Sequence, residues 1–162
     1  MPYSDDPYTR VHNAIWAILE QYPPFTELVR AGNRIKLTGQ PVNIKAEVEA
    51  GDLPEVEVVP ADDAGYEWGS TANSLVDTAM YRINVFTGTM QLDDPRRGLY
   101  PLKWALISAL RFNPRLGLPF VEDARLVSST PTPRTPRGSG WGISFLLKVV
   151  LRFKRTGDTL FI

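Results

Sequence analysis

One stretch, Gly142 to Arg155, limits what this chain can fold into more than any other. It reads Gly-Ile-Ser-Phe-Leu-Leu-Lys-Val-Val-Leu-Arg-Phe-Lys-Arg. Ile143, Phe145, Leu147, Val149, Leu151 and Phe153 take alternate positions, the spacing that lines one face of a β-strand. Ser144, Lys148, Arg152 and Lys154 fall on the other face, with Leu146 and Val150 among them. Such a strand spans roughly 40 Å at about 3.3 Å per residue, longer than most strands of small domains. One wholly apolar face beside one mixed face calls for an antiparallel sheet covered on one side by helices.

The remaining chain supplies those helices and partner strands. Asp6 with Pro7 behind it is a helix start, an N-cap followed by proline at the first helical position. Val11, Ile15, Ile18, Leu19 and Tyr22 then form a helical stripe, which Pro23 and Pro24 end. His12 and Trp16 border that stripe, and the histidine reads as a boundary packing residue rather than a base or ligand. Phe25, Leu28 and Val29 suggest a short second helical turn, closed by Ala31-Gly32-Asn33. Residues 34–38 alternate briefly, residues 40–53 read as a loop, and Glu55 to Pro60 reads as a strand whose proline and glutamates suit a protected edge. A turn-rich connection, 61–73, precedes a strand over Thr78 to Thr87 with Tyr81, Ile83 and Val85 on one face. A second long helix is expected over Leu99 to Phe112, with Leu99, Leu102, Leu106, Ala109 and Leu110 as its stripe and Asn113-Pro114 as its stop. A less regular strand follows over Phe120 to Ser129. Residues 131–140, with three prolines, two glycines and two arginines, read as the mobile tip of a long β-hairpin. Thr159 to Ile162 reads as a tail. The expected fold is α+β: an antiparallel β-sheet with two α-helices on one face and a long β-hairpin, as one domain over 1–162.

No catalytic set is recognisable. The chain has no cysteine and one histidine, which excludes thiolate and multi-histidine metal sites within it. The pairs Asp5-Asp6, Asp62-Asp63 and Asp93-Asp94 lie beside proline or glycine and read as caps and turns. Gly138-Ser139-Gly140-Trp141-Gly142 lacks the Lys-Ser/Thr ending of a phosphate loop, and a strand follows it where a nucleophile elbow needs a helix. No catalytic, metal or cofactor site is therefore expected, and the reading is non-enzymatic. The acidic start, Met-Pro-Tyr-Ser-Asp-Asp, is unlike a signal peptide, and no apolar run approaches the ~20 residues of a membrane span; the expectation is a soluble protein without a membrane partner.

The formal net charge of zero conceals a division. Residues 1–80 carry 5 basic and 13 acidic side chains, and residues 81–162 carry 13 basic and 5 acidic, balances of −8 and +8. Strands from the two halves could interleave and cancel this in space. Alternatively, the protomer has opposed charged sides, suited to head-to-tail contacts in a ring or filament. Arg134 and Arg137 in the hairpin tip, with Arg96 and Arg97 as a second basic spot, are candidates for contact with DNA or a protein partner. Tyr66, Trp68 and Trp141 are candidate interface anchors.

The order of elements resembles the tail-terminator and neck (head–tail joining) proteins of tailed bacteriophages. The resemblance rests on an N-terminal helix, Phe25-Thr26-Glu27-Leu28-Val29 followed by Gly-Asn-Arg-Ile at Gly32 to Ile35, a central strand at Ala79 to Phe86, an amphipathic helix at Leu99 to Phe112 and a closing hairpin. The basic hairpin tip and the segment 40–53 have no counterpart in that pattern. The resemblance implies a structural virion protein, assembled in the host cytoplasm. It would form a ring, expected to be a hexamer, at the head-proximal end of the tail. The ring would stop tail tube polymerisation, dock the neck or connector and let DNA pass through its lumen. The alternative reading is a nucleic-acid-binding module using the basic hairpin and the Lys148, Arg152 and Lys154 strand face.

Overall fold

The computed structural model describes residues 6–35, 54–61, 69–71, 74–86, 99–134, 140–156 and 159–161. The stretch that opened the analysis is its central strand, β6 (Gly140–Thr156). Before it come α1 (Pro7–Gln21), α2 (Pro23–Leu28), a 3₁₀ turn (Ala31–Asn33), β1 (Arg34–Ile35), β2 (Glu55–Pro60), β3 (Gly69–Thr71), β4 (Ser74–Phe86), α3 (Leu99–Arg111) and β5 (Val121–Arg134); β7 (Thr159–Phe161) follows it. The strands run in the order β1-β2-β4-β6-β5, with β3 against β4 and β7 against β6. Every pairing is antiparallel except the two-residue ladder of β1 on β2, which is parallel. The α+β class holds, with three α-helices in place of two because Pro23-Pro24 starts α2 as it stops α1.

All six alternating residues of β6, from Ile143 to Phe153, are buried. Opposite them on β4 stand Ala79, Tyr81, Ile83 and Val85, and on β2 Val56 and Val58, so three strands present one continuous apolar face. Val11, Ile15 and Leu19 of α1, Phe25 of α2, and Leu102, Leu106, Ala109 and Leu110 of α3 close over it in a single cluster. Burying side chains of this size contributes about 1.5–3 kcal/mol each before entropy is set against it. Trp16 is 3% exposed and belongs to the core rather than its border. Asp6 does cap α1, accepting from the Thr9 backbone N–H at 2.9 Å. Desolvation pushes its carboxyl pKa up, but the hydrogen bonds from Thr9 and Tyr8 outweigh that and hold it below the ordinary aspartate value.

Several boundaries differ from the sequence reading, each for a local reason. β4 begins at Ser74 rather than Thr78. Asp77 occupies a core-facing position there and interrupts the apolar alternation; it is 1% exposed and accepts from the Tyr8 hydroxyl and from the Thr78 N–H. β5 continues past Ser129 to Arg134, so residues 131–134 are ladder rather than loop tip. Pro131 and Pro133 are tolerated because β5 is an edge strand, and residues two apart can both turn the missing N–H away from β6. The irregular apolar spacing of β5 has a cause in two register shifts, at Val121/Asp123 and Leu126/Ser128. The supposed tail 159–162 contains β7, paired with Lys154–Thr156. Gly32 does not end α2, which stops at Leu28 with Val29 as its cap; it lies in the 3₁₀ turn beyond. β2 is not an edge over Val56 and Glu57, which β1 covers, and both its glutamates are buried.

Candidate functional site

Of the residues singled out in the sequence, Tyr66, Trp68, Arg96, Arg97 and Arg137 lie outside the described residues. Arg134 and Trp141 are placed by backbone register alone. Arg134 pairs with Gly140 and Trp141 with Pro133, which brings both to the far end of the β5–β6 hairpin. The fold offers two further surfaces.

The first is the side of the sheet opposite the helices. A polar row crosses three strands there: Asn84 donates to Glu57 at 2.7 Å and Ser144 donates to Asn84 at 2.7 Å. Beside it, Arg82, Asn84, Ser128, Thr130, Ser144 and Leu146 line a shallow depression of about 380 Å³. The basic residues of this face, Arg82, Arg125, Lys148, Arg152 and Lys154, are not all available. Arg152 is engaged by Glu122, and its guanidinium also donates to Ser74. Arg125 pairs with Asp123 at 2.6 Å. The hydrogen bond and charge of Arg152 hold the Glu122 carboxyl below its ordinary range, and Glu122 in turn raises the guanidinium's pKa.

The second surface is the outer side of α3 and the groove between that helix and β5. Tyr100 is 54% exposed and Trp104 66%. With Ile107 and Arg111 they sit at helical positions i, i+4, i+7 and i+11, one line along the helix. Ile107 and Arg111 continue into a groove of about 520 Å³, lined also by Leu110, Pro114, Ala124 and Leu126. Phe112, just past the helix, is 77% exposed, and Val127 at the second bulge of β5 is exposed as well. The sequence reading passed over this surface. The signal was present, because the stripe Leu99, Leu102, Leu106, Ala109 and Leu110 leaves Tyr100 and Trp104 facing away from the core.

β5 borders this groove but is poorly disposed to extend its sheet into another chain. The Pro114 carbonyl occupies the Ala124 N–H at 2.7 Å, two bulges break the edge, and Pro131 and Pro133 remove two donors. Leu116, buried with φ 51°, and Gly117, φ 68°, fold the 113–118 turn against that edge.

Sheet order bears on the charge division only through the strands. The strands of the acidic half, β1, β2 and β3, lie on one side of β4, and those of the basic half, β6, β5 and β7, on the other. The described strands of the two halves do not interleave, but α1 of the acidic half reaches across to the other side, where Arg10 lies over the Phe120 ring. Among the described residues there is no cluster of acidic, histidine or cysteine side chains fit to hold a metal ion, and no helix is long and apolar enough to cross a membrane.

No family model matches the sequence, and no curated protein matches it. The fold is shared with a solved chain from the virion of a native gene transfer agent (GTA) particle. The two superpose with a TM-score of 0.56 at 12% identity, covering 87% of this chain and 93% of that one.

Proposed function

We propose that this protein is a structural component of a phage-like virion, acting as a tail-terminator or head–tail joining subunit. In this role it forms a closed ring, a hexamer, at the head-proximal end of the tail, stops tube growth and presents a docking face to the neck or connector. The observation that carries the reading is the likeness in fold to nearly the full length of a virion chain. The placement of the strands of the two halves on opposite sides of β4 agrees with it, since a ring is built from heterologous contacts between unlike faces.

Light scattering across a concentration series, with electron microscopy of the protein mixed with tail tubes, tests this. A discrete ring-sized mass, or a monomer that closes into rings on tube ends, is the expected result. A strict monomer that ignores tubes and binds DNA in a salt-dependent way overturns it in favour of a nucleic-acid-binding module. The engagement of Arg125 and Arg152 by neighbouring carboxylates weighs against that second reading. Charge reversal at Arg134 and Arg137 is expected to weaken partner docking or DNA passage without unfolding the chain; unchanged assembly and infectivity would remove the hairpin end from the mechanism.

A further inference from the structure

We propose that the side of the sheet opposite the helices is a contact surface for the phosphate backbone of duplex DNA, with a seat for one phosphate between Arg82, Ser128 and Thr130. The proposal goes beyond the ring reading and gives a use to a surface which that reading leaves idle; only the choice of DNA over another duplex rests on the virion role.

Strand register builds the seat. Arg82 on β4, Leu146 on β6 and Ser128 on β5 share one row across the sheet, and Asn84, Ser144 and Thr130 share the next row on the same side. These six line the depression of about 380 Å³. Arg82, Ser128 and Thr130 are exposed. Among the described residues Arg82 forms no ion pair, and the two hydroxyls form no hydrogen bond. The neighbouring carboxylate, Glu57, is 6% exposed and already accepts from Asn84. A guanidinium and two free hydroxyls around a shallow hollow match the oxygens of a phosphodiester, which Arg, Lys, Ser and Thr side chains contact in DNA complexes.

Two further cations extend the surface. Lys148, half-buried, lies two residues from Leu146 along β6 and diagonal to Arg82. Lys154, exposed, lies six residues beyond it on the same side of the strand, about 20 Å away at about 3.3 Å per residue. Neither forms an ion pair among the described residues, whereas Arg125 and Arg152 are neutralised by Asp123 and Glu122. A line of free cations this long suits a charged polymer and exceeds a mononucleotide. It suits backbone rather than bases, because among the described residues no large aromatic side chain is exposed on this side of the sheet. Single-stranded bases therefore find no stacking platform there, and a protein partner finds no aromatic anchor. Three free cations per subunit make a light grip, under which a duplex slides rather than one that holds it.

Fluorescence anisotropy of the full chain with a labelled duplex of arbitrary sequence, repeated across a salt series, tests this. At about −0.9 per phosphate contact, three contacts give a slope of log affinity on log salt near −2.7 for each subunit touching the duplex, or about a 40-fold loss between about 50 and 200 mM salt. Arg82→Ala, Lys148→Ala and Lys154→Ala, with folding checked by circular dichroism, should each reduce that slope by about 1 whatever the duplex sequence. Lys103→Ala, on α3, should leave it unchanged. A slope indifferent to Arg82→Ala, or tighter binding of single strands than of duplex, overturns the proposal. Polyglutamate bound as tightly as the duplex at equal charge assigns the surface to an acidic protein and overturns it as well. Rings that cap tubes but show no salt-dependent DNA binding overturn the proposal and leave the ring reading standing. A chain that binds the duplex in this way yet stays at 18.2 kDa and ignores tubes supports the proposal and overturns the ring reading.

Discussion

The two long helices lie on the same face of the same sheet and are built on the same plan, yet the fold uses them differently. α1 turns Val11, Ile15, Trp16 and Leu19 inward and leaves Asn13, Ala17 and Gln21 exposed. α3 turns Leu102, Ala105, Leu106, Ala109 and Leu110 inward and still exposes Tyr100 and Trp104. Tyr8, 42% exposed, is the one large apolar side chain that α1 leaves at the surface among the described residues, and its hydroxyl is tied to Asp77, whereas α3 leaves two, Tyr100 and Trp104. A helix with apolar residues on both sides is expected where it is sandwiched, and among the described residues only one of the two sides is filled.

The largest effects should fall on the inward sides of both helices alike. Leu106→Ala and Leu19→Ala are each expected to cost about 2–5 kcal/mol in urea unfolding, the cost of a large-to-small change in a packed core. Trp104→Ala is expected to change monomer stability by no more than about 0.5 kcal/mol; a loss near that of Leu106→Ala would mean that the outer side of α3 is covered within the chain. Next is the polar attachment of α1 to the sheet. Asp77→Ala removes the acceptor of the Tyr8 hydroxyl and the Thr78 N–H and should cost about 1–3 kcal/mol. The N-cap is smaller, with about 1 kcal/mol expected for Asp6→Ala.

The smallest effect separates the helices by pH. Burial lowers the pKa of His12 on α1, and its Nε2 is buried without a hydrogen-bond partner. The folded state therefore binds a proton less readily than the unfolded chain, so stability is full above the ordinary histidine range and declines as pH falls through it. His12→Asn should flatten that part of the stability–pH curve; an unchanged slope would assign the titration elsewhere.

The alternation of residues 142–155 was enough to place the central strand and its buried face, because period-2 burial depends only on local geometry. The start of β4 was hidden, since Asp77 in a core-facing position depends in part on a hydroxyl 69 residues away, and no local pattern announces that partner. The Gly-Asn-Arg-Ile stretch carried a resemblance whose physical content appears only in three dimensions. Asn33 donates to the Pro54 carbonyl, and Arg34 donates twice to the Val29 carbonyl while lying 5.8 Å over the Phe25 ring. The stretch fastens the end of the helical segment to the beginning of the sheet. The sequence reading looked for interface residues among aromatics in loops, so Trp104, inside a helix already assigned to the core, drew no attention.

The place of β6 in the sheet has a consequence for the order of events at the ribosome. Residues 140–156 are made near the end of the described chain, yet they sit between β4 and β5 and supply the middle of the hydrophobic face. Until they emerge, β4 and β5 have no shared neighbour, and α1 and α3 have only the β2–β4 part of their floor. A nascent chain stopped before residue 140 cannot complete this core, so the fold is reached only after nearly all of the described sequence has been translated.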